Sequence, residues 1–540
     1  MMKIKKMWKK AFGIDFDVDE KVLDEFIEWN TKQWDKERVD KNGYCFVNFI
    51  MIRKELSLML PKILYAKAIQ EEKKIQPIIL DWGTDSKLEK LYQSFGMNSI
   101  NLHKKMVMNI TGIIKSLFIT LKCRVSKISG EELQKLSLNG VIIGKSIYSD
   151  ALRSSSLSTI KKVDNMICCK KIFSMVLLAD TISKILNKYE PKVCISDDWA
   201  YNEGIVLEYM NQKNAFIVQT NMKRENILTI ERGKFIGHRN SEMHEQVKRF
   251  LEKGMETDKA VVDEYLEQRF AGKNSSYRDK IAFEGKKTIT SREEWNEQMG
   301  LDPKKKNVVI MCHTFSDAVF NSAYTAFRDY YDWTEQTLKI ISKIDTVNWI
   351  VKPHPARAHY NEAADSIEDM FQRYATENMH FFPENISAAS LKDGADALVT
   401  ICGTAGTEFP CFGIPAIACG KAFYTGFGYT KTPETLDEYE QMLRDIKDMP
   451  LLSQEQIEQA RKVLYAYIRC FETPLDEWDD MLWLKYKALQ HADRNAENEG
   501  ELTLTYNTEI LKELRQMSEK DTWKHAEYYK RGKQLSKRIG

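Results

Sequence analysis

The stretch Val351-Lys352-Pro353-His354-Pro355 is the most informative part of this chain. It closes the apolar, β-prone run Trp349-Ile350-Val351, and its two prolines stop the predicted strand abruptly. His354 is therefore expected at the carboxyl end of a strand, where its ring can donate a hydrogen bond to a phosphate oxygen. Lys352 and Arg357 add positive charge nearby. Taken alone, a turn histidine of purely structural use explains this stretch equally well.

A second turn of the same kind follows about 50 residues later. Residues 397–401 form another apolar run, and they lead directly into Cys402-Gly403-Thr404-Ala405-Gly406-Thr407-Glu408. Glycines let backbone amides approach an anion, and the amino end of a following helix adds its dipole. Thr404 and Thr407 supply hydroxyl donors, and Glu408 is expected in the first helical turn, where it can accept from ribose hydroxyls. Such turns are common in α/β proteins, so this one gains weight only together with the first.

Apolar strands of this type recur along the chain, with helical patterns between them. They fall into two series, which are 44–50, 77–80, 193–196 and 216–219, and then 307–311, 348–352, 379–382, 397–401 and 415–418. Continuous apolar strands that alternate with amphipathic helices indicate parallel sheets covered on both faces. We therefore predict an α/β protein with two Rossmann-like, doubly wound domains that face a cleft, with ligands at the carboxyl ends of the strands.

Composition indicates where the two domains meet. The segment 268–306 is rich in charge, contains glycine and proline, and separates the two series of strands. Such a segment is typical of an interdomain connection. The predicted division is a helical N-terminal extension over 1–42, one Rossmann-like domain over 43–280, a linker over 281–303, a second Rossmann-like domain over 304–455, and C-terminal helices over 456–540 that partly cross back to the first domain.

Length, charge and cysteine usage exclude several classes of protein. The chain of 540 residues is long enough to form two hydrophobic cores. Its content of 43% hydrophobic residues is too high for a disordered protein. The 80 basic and 78 acidic residues nearly cancel, so we expect no nucleic-acid partner. The ten cysteines lie mostly in apolar runs and are expected to be reduced. We see no leader and no run of roughly 18 apolar residues, so we expect a cytoplasmic protein.

Two segments bear on contact with a membrane. Residues 1–12 interleave five lysines with Ile4, Met7, Trp8 and Phe12. This pattern predicts either peripheral contact with the cytoplasmic face of the inner membrane or, more commonly, the solvated basic start of a helix. The segment 106–121 carries apolar residues at helical spacing, interrupted by Lys115, which predicts a core helix rather than a membrane helix. The apolar residues at this spacing are Ile110, Ile113, Ile114, Leu117 and Phe118.

The two turns together resemble the motif set of bacterial capsule polysaccharide glycosyltransferases of the GT-B type, a family that includes Kdo and sialic acid transferases. The matching stretches are Lys352-Pro353-His354-Pro355, Gly403-Thr404-Ala405-Gly406-Thr407-Glu408, Gly413-Ile414-Pro415-Ala416-Ile417 and Gly420, and further residues 309–317 with His313 and Asp317, 425–428 and 435–439. These stretches cover most of residues 300–445. The resemblance implies that the second domain holds a nucleotide-sugar donor and the first domain an acceptor.

The resemblance also implies roles for individual residues. The nucleotide-binding set is His313, Lys352, His354, Pro355, Gly403, Thr404, Thr407 and Glu408. The implied reaction moves a sugar from a donor, most often a CMP-activated acidic sugar such as Kdo or a sialic acid-like sugar, to a surface polysaccharide or a lipid-linked glycan. Departure of the nucleotide would be assisted by His354 and backbone amides, so we expect neither a metal site nor a permanently bound cofactor.

A cluster of carboxylates follows a strand of the first domain. Residues 193–196 lead into Asp197-Asp198-Trp199-Ala200-Tyr201-Asn202-Glu203-Gly204. In related sialyltransferases an acidic pair followed by glycine supplies the base that deprotonates the acceptor hydroxyl, and Asn202-Glu203-Gly204 is the nearest match here. Glu203 and Asp198 are therefore the candidate catalytic carboxylates. Capping of the following helix explains one of the two aspartates equally well.

Three other functions fit parts of this pattern. A CDP-polyol phosphotransferase of the teichoic acid type shares the fold and the His-Pro element, but paired serines are usual where this chain has Thr404. A UDP-sugar 2-epimerase usually has consecutive glycines and glutamates, which residues 403–408 lack. A non-catalytic GT-B-fold protein that binds glycan or supports export would lack the nucleotide contacts.

Overall fold

Two six-stranded sheets organise the protein, as seen in a computed structural model. The structure describes residues 16–34, 42–50, 56–83, 85–155, 157–196, 199–219, 228–230, 239–254, 256–273, 282–283, 286–322, 326–355, 357, 365–471, 507–512, 514–515 and 527–539. Residues 1–12, Asp197 and Asp198, for which the sequence made predictions, lie outside these ranges.

The first sheet has the strand order β3-β2-β1-β6-β7-β8. Its strands are β1 (Tyr44–Asn48), β2 (Gln76–Asp81), β3 (Asn98–Asn101), β6 (Pro191–Ser196), β7 (Phe216–Gln219) and β8 (Leu228–Ile230). All neighbours are parallel except β8, which runs antiparallel to β7. The chain builds one half of the sheet outward from β1 and then returns to the other side with β6. The gap between the ends of β1 and β6 is therefore the topological switch point.

The second sheet has the order β11-β10-β9-β12-β13-β14, with every neighbouring pair parallel. Its strands are β9 (Asn307–Met311), β10 (Asn348–Lys352), β11 (Met379–Phe381), β12 (Ala397–Thr400), β13 (Ala416–Ala418) and β14 (Thr430–Lys431). A hairpin of β4 (Ser137–Leu138) and β5 (Val141–Ile142) completes the strands. The predicted α/β class with two doubly wound sheets is confirmed, while the predicted division of the chain into domains stays a prediction.

Helices cover both faces of the two sheets. Those of the first half are Glu20–Thr31, Leu56–Lys73, Ser86–Ser94, Leu102–Val107, Ile110–Val125, Gly130–Gln134, Gly144–Arg153, Met166–Lys188 and Tyr201–Gln212. Those of the second half are Arg239–Glu252, Lys259–Phe270, Arg292–Met299, Tyr330–Ile341, Ile367–Tyr374, Leu391–Gly394, Ala405–Glu408, Leu436–Arg444, Gln454–Phe471 and Glu527–Ser536. Short 3-10 turns lie at Ala388–Ser390, Pro410–Phe412 and Asp445–Asp448.

Burial explains how the helices are held on the sheets. The helix Leu56–Lys73 lies over the first sheet, and the helix Glu527–Ser536 near the end of the chain packs against it. Gly532 allows this close approach, because a Cβ there would lie 2.7 Å from the Cβ of Ala68. The helices Arg239–Glu252 and Lys259–Phe270 pack instead against Gln454–Phe471, beside the second sheet.

The two sheets are joined by buried polar contacts as well as apolar ones. Thr159 donates to the Oδ2 carboxylate oxygen of Asp329 at 2.6 Å. The amide of Ala318, in the loop after β9, donates to the hydroxyl of Tyr201 at 3.1 Å. Tyr148 and Phe320 pack edge to face, with ring centroids 5.6 Å apart. These contacts hold the carboxyl edges of the two sheets toward one cleft.

One helix differs from its prediction. The segment 106–121 was predicted as a core helix, but the helix Ile110–Val125 exposes Ile110, Ile114, Leu117 and Phe118 to solvent and buries its small residues instead. Helical spacing indicates that one face of a helix is apolar, but it does not indicate whether protein or solvent contacts that face. In the described part of the chain, no helix combines the length and the hydropathy that crossing a bilayer requires.

Candidate active site

The carboxyl ends of three adjacent strands form the site in the second sheet. Met311 of β9 lies in register with Lys352 of β10 on one side and with Thr400 of β12 on the other. The residues that follow these three positions are therefore brought side by side. Because the strand order reverses between β9 and β12, this edge is also the topological switch point at which α/β sheets bind ligands.

Two histidines stand together at this edge, each following its own strand. The rings of His313 and His354 are stacked, with centroids 5.6 Å apart and an interplanar angle of 27°. On its other side His313 packs on Tyr330, with centroids 4.3 Å apart. His354 is half-buried, and Pro355 forms the turn that directs it away from the strand. The structure thus brings together two members of the predicted set, His313 and His354, in a geometry that suits donation to one phosphate group.

Lys352 is the last residue of β10 and is only 7% exposed. Burial lowers the pKa of its ammonium group to about 8, and the positive charges of Lys286, Arg357 and Arg269 contribute to the decrease. Its Nζ atom lies 5.3 Å from the ring centroid of Phe382. Buried lysines normally have a carboxylate partner, since burying a charge alone is costly. Within the described ranges of this chain, no carboxylate lies within ion-pair distance of Lys352.

The glycine turn after β12 is held in shape by residues of the second half of the chain. The amide of Gly403 donates to the hydroxyl of Thr400 at 3.2 Å, and the Tyr424 hydroxyl donates to the carbonyl of Gly403 at 2.7 Å. Only glycine fits at position 406, because a Cβ there would lie 2.3 Å from the Tyr424 hydroxyl oxygen. The turn is therefore preformed and does not need a ligand to fix it. Thr404 is half-buried on its outer side.

Glu408 and Thr407 already have protein partners. The Oε1 atom of Glu408 accepts from Arg269 Nε at 2.9 Å and from the Tyr265 hydroxyl at 3.1 Å. The hydroxyl of Thr407 is fully buried and hydrogen-bonds that of Tyr429 at 2.9 Å. In this conformation Thr407 stabilises the turn, which argues against a direct contact between Thr407 and a nucleotide-sugar donor. The ribose contact expected of Glu408 stays a prediction, since Arg269 now takes one of its oxygens.

Cys402 follows β12, beside the end of β9 that leads to His313. Burial raises the pKa of its thiol, but hydrogen bonding and positive charge from His313, with further hydrogen bonds from Ser322 and Tyr330, lower it below the ordinary value. The distance from the Tyr330 hydroxyl to Cys402 Sγ is 3.7 Å. A thiol with a lowered pKa has increased thiolate character, which makes Cys402 a candidate reactive cysteine. All ten cysteines are free.

Glu203 lies at the switch point of the first sheet. The hydroxyl of Ser196, the last residue of β6, donates to Oε2 of Glu203 at 3.1 Å, and Asn48 at the end of β1 donates to Ser196 Oγ at 3.1 Å. All three side chains are fully buried. This arrangement fastens the helix Tyr201–Gln212 to the strand ends. The base role of Glu203 stays a prediction, and Asp198 lies outside the described residues.

Glu208, a second carboxylate of the helix Tyr201–Gln212, lies where residues of both halves of the chain meet. Glu208 and Lys145 border a narrow opening of about 30 Å³, lined from the second half of the chain by Ala318, Phe320 and Asn321. Burial raises the pKa of Glu208 to about 8, although the positive charge of Lys145 acts to lower it. Burial in turn lowers the pKa of Lys145. A carboxyl group tuned to this range beside a lysine is suited to proton transfer near neutral pH.

Sequence reasoning missed four of these groups. They are Arg269, Lys286, Glu208 and Cys402 in its role beside His313. Arg269 is 139 positions away from its partner Glu408, and no local pattern connects the two. Of the predicted set, the structure brings His313, Lys352, His354, Pro355, Gly403 and Thr404 to one edge, with Thr407 and Glu408 directly behind.

The fold defines the architectural class of the protein. Two doubly wound parallel sheets that face a cleft are the GT-B architecture, and the second of them has paired histidines and a buried lysine at its switch point. Within that class, residues 242–465 match the family model described as capsule polysaccharide biosynthesis protein. The match covers less than half of the chain and includes every second-sheet residue discussed above. It confirms the resemblance that the motifs indicated.

Solved structures resemble the chain only distantly. KpsC from Thermosulfurimonas dismutans, described as a beta Kdo 2,4 transferase, is 12% identical with a TM-score of 0.31, over 50% of this chain and 79% of that chain. The UDP-GlcNAc 2-epimerase from Neisseria meningitidis, bound to UDP-GlcNAc, is 11% identical with a TM-score of 0.25, over 79% and 99%. S. aureus MnaA with UDP is 10% identical with a TM-score of 0.30, over 82% and 97%. No curated protein matches the chain.

Proposed function

We propose that this protein transfers a sugar from a nucleotide-activated donor to a surface polysaccharide or a lipid-linked glycan, and that the second sheet binds the nucleotide. The observation that carries this proposal is Lys352, a buried lysine surrounded by three further cations. Arg357 is ion-paired with Glu368 at 2.6 Å, and Arg269 with Glu408. Lys352 has no such carboxylate among the described residues, so a bound phosphate would supply the missing negative charge.

The chemistry follows from where charge develops. The acceptor hydroxyl oxygen attacks the anomeric carbon, the bond from that carbon to the phosphate oxygen breaks, and the nucleotide leaves with the electron pair. Lys352 and a proton on His354 would stabilise the negative charge that grows on the leaving phosphate. The proton of the acceptor hydroxyl passes to a carboxylate of the first half. We favour Glu208 for this step because it borders the opening between the two halves of the chain and has a raised pKa, whereas Glu203 is fully buried.

The donor class rests on the motif resemblance rather than on the pocket. The Lys352-Pro353-His354-Pro355 and Gly403-Thr404 elements resemble those of transferases that use CMP-linked acidic sugars such as Kdo or sialic acid-like sugars. A donor of this kind carries one phosphate and one carboxylate. Lys352, which has no carboxylate partner among the described residues, suits such a negative charge and would stabilise the leaving group without a resident metal or a permanently bound cofactor.

Calorimetric titration of the full chain with CMP, CDP and UDP tests nucleotide binding first. Binding of CMP is the expected result, and no binding of any of the three at millimolar concentration would refute the proposal. Product analysis with a panel of CMP-sugars and a lipid-linked primer then identifies donor and acceptor. Preference for UDP together with epimerisation of UDP-GlcNAc, or transfer of a polyol phosphate from a CDP-linked donor, would replace this function with one of the other enzyme functions.

A further inference from the structure

The helix Ile110–Val125 and its surroundings expose an unusual amount of apolar surface. Fourteen large hydrophobic residues are exposed in the described part of the chain, and ten of them lie here, each between 41% and 80% exposed. We define the apolar face as Val107, Met108, Ile110, Ile114, Leu117, Phe118, Leu121 and Val125, with Met166 and Ile167 at the start of the neighbouring helix. A concentration of this kind marks an interaction surface.

The packing of this helix is inverted relative to an ordinary surface helix. It contacts the helix Met166–Lys188 through Gly112, Ser116 and Cys123, which are buried, while its large side chains point outward. These small residues allow the two helices to approach closely. The large side chains on the outer side contribute little to the stability of the fold. The apolar face is therefore not a by-product of core formation.

Polar bonds fix the orientation of the helix, so the outward face is not a consequence of loose packing. Lys115 Nζ lies 2.6 Å from Asp180 Oδ1, and Asn109 Nδ2 donates to Asp180 Oδ2 at 3.0 Å. Lys184 closes the network through Asn109 Oδ1 at 2.6 Å. Asp180 is buried, and although burial opposes ionisation, the hydrogen bonds from Lys115, Lys184 and Asn109 lower its pKa to about 2. The ionised network locks the helix at its inner edge over the whole neutral pH range.

Charge around the apolar face identifies its partner. Residues 102–128 contain no acidic residue and six basic ones, which are Lys104, Lys105, Lys115, Lys122, Arg124 and Lys127. All except Lys115 are exposed, and they flank the apolar face at both ends of the helix. Protein interfaces are depleted in lysine, whereas apolar side chains bordered by cations suit an anionic bilayer surface.

We propose that the apolar face docks the protein on the surface of a membrane that contains anionic lipids, with its large side chains inserted at the level of the head groups. The helix Leu102–Val107 begins directly after β3 ends at Asn101, so the docking helices continue from the carboxyl edge of the first sheet. That edge borders the cleft. Docking there holds the cleft beside the lipid surface, and this inference stands independently of the proposed transfer reaction.

Co-sedimentation of the full chain with vesicles tests the docking surface. We expect binding to vesicles of phosphatidylcholine with phosphatidylglycerol, weak binding to phosphatidylcholine alone, and release by salt. Replacing Leu117 and Phe118 by aspartate should lower the affinity on the order of tenfold or more. Leu451→Asp is the matched control, because Leu451 is 64% exposed elsewhere and should bind as the natural chain does. Likewise Lys122→Glu should weaken binding, while Lys447→Glu, at an exposed site distant in sequence, should not.

Three outcomes would overturn the docking surface. The first is unchanged vesicle binding by the chain with aspartate at positions 117 and 118. The second is loss of all binding when residues 1–12 alone are deleted, which would place the contact at the basic N-terminus. The third is a dimer in vesicle-free solution that the same two aspartates dissociate while vesicle binding is retained, which would make the apolar face a contact between copies of this chain.

Discussion

The hydroxyl of Tyr148 donates a hydrogen bond to Asp329, and this bond joins the two halves of the protein. Tyr148 belongs to the helix Gly144–Arg153 beside the first sheet. Asp329 caps the helix Tyr330–Ile341 beside the second, with its Oδ1 accepting from the Asp332 amide at 2.8 Å. Both side chains are fully buried. Burial raises the pKa of Asp329, although hydrogen bonds from Thr159 and Tyr148 oppose the rise.

Tyr148→Phe is therefore expected to destabilise the protein by about 1–3 kcal/mol, because a buried carboxyl group loses a partner while the shape of the ring is kept. Urea unfolding at neutral pH measures the change. Tyr374→Phe provides the control, since Tyr374 is half-buried and its hydroxyl has no hydrogen-bond partner among the described residues. Equal stability of the two variants would show that the Tyr148–Asp329 bond contributes nothing to holding the halves together.

Lys352→Met should have opposite effects on binding and on stability. The methionine removes a buried charge whose pKa is lowered from 10.5 to about 8, so the variant is expected to be more stable than the natural chain at pH 7 by up to about 3 kcal/mol. The same change should abolish measurable CMP binding. Differential scanning calorimetry and titration with CMP measure the two effects, with Lys339→Met, at an exposed position, as the control. A less stable variant with intact CMP affinity would contradict the assignment.

The pH dependence of the natural chain follows from the same lysine. Its folded pKa of about 8 lies below the unfolded value, so between about pH 8 and 10.5 the unfolded chain binds more protons than the folded one. The contribution of Lys352 to stability therefore rises with pH over that window. Affinity for CMP should change the other way, falling above about pH 8 by up to about tenfold per pH unit as the ammonium group is lost. A flat affinity from pH 7 to 10 would exclude Lys352 as a ligand.

Glu208→Gln tests the carboxylate of the cleft. If Glu208 is the base, kcat/KM of the natural chain rises with pH toward about 8, where the folded-state carboxyl group loses its proton. The amide cannot accept that proton, so the variant should lose roughly 10²–10⁴-fold in turnover and also lose this limb of the pH profile. Glu252→Gln, at an exposed position, should behave as the natural chain does. If Glu203→Gln instead removes the limb and Glu208→Gln does not, the base is Glu203.

The sequence predicted those parts of the fold that local patterns control. The bounds 307–311, 348–352 and 216–219 agree with β9, β10 and β7, because continuous apolar runs between turn residues are typical of buried parallel strands. β3 was missed because Asn98-Ser99-Ile100-Asn101 has one apolar residue, as a sheet edge allows. The strand-end residues Lys352, His354 and Thr404 could be placed together because parallel strands end at one edge.

What the sequence could not predict depends on distant residues. The ion pair of Arg269 with Glu408 and the raised pKa of Glu208 arise only when separate helices pack together. The orientation of the helix Ile110–Val125 was predicted wrongly, because spacing alone does not distinguish a buried apolar face from an exposed one. The available signals were Gly112 and Ser116 on the opposite side and the lack of acidic residues around them.

Cys402 should report nucleotide binding through its reactivity. Its lowered pKa and half-buried position make it the expected first site of alkylation by iodoacetamide. By contrast, burial raises the pKa of the half-buried Cys470 to about 11. CMP should slow modification of Cys402, since the nucleotide occupies the edge between His313 and Thr404, and mass spectrometry of peptides measures both rates. Modification of Cys402 at the same rate with and without saturating CMP would place the nucleotide elsewhere, and Cys402→Ser identifies any background reaction.

His354→Ala separates a catalytic histidine from a structural one. The ring is half-buried at the end of β10 and stacks on His313, so its removal leaves the sheet intact and should change the free energy of unfolding by less than about 1 kcal/mol. Loss of a donor to the leaving phosphate should lower kcat by about 10²–10³-fold while CMP still binds. His103→Ala, a half-buried histidine beside the first sheet, should leave kcat unchanged. If His354→Ala unfolds the protein, or if it folds and keeps full turnover, the Pro-His-Pro turn acts only as a strand terminator and Lys352 alone balances the charge of the departing nucleotide.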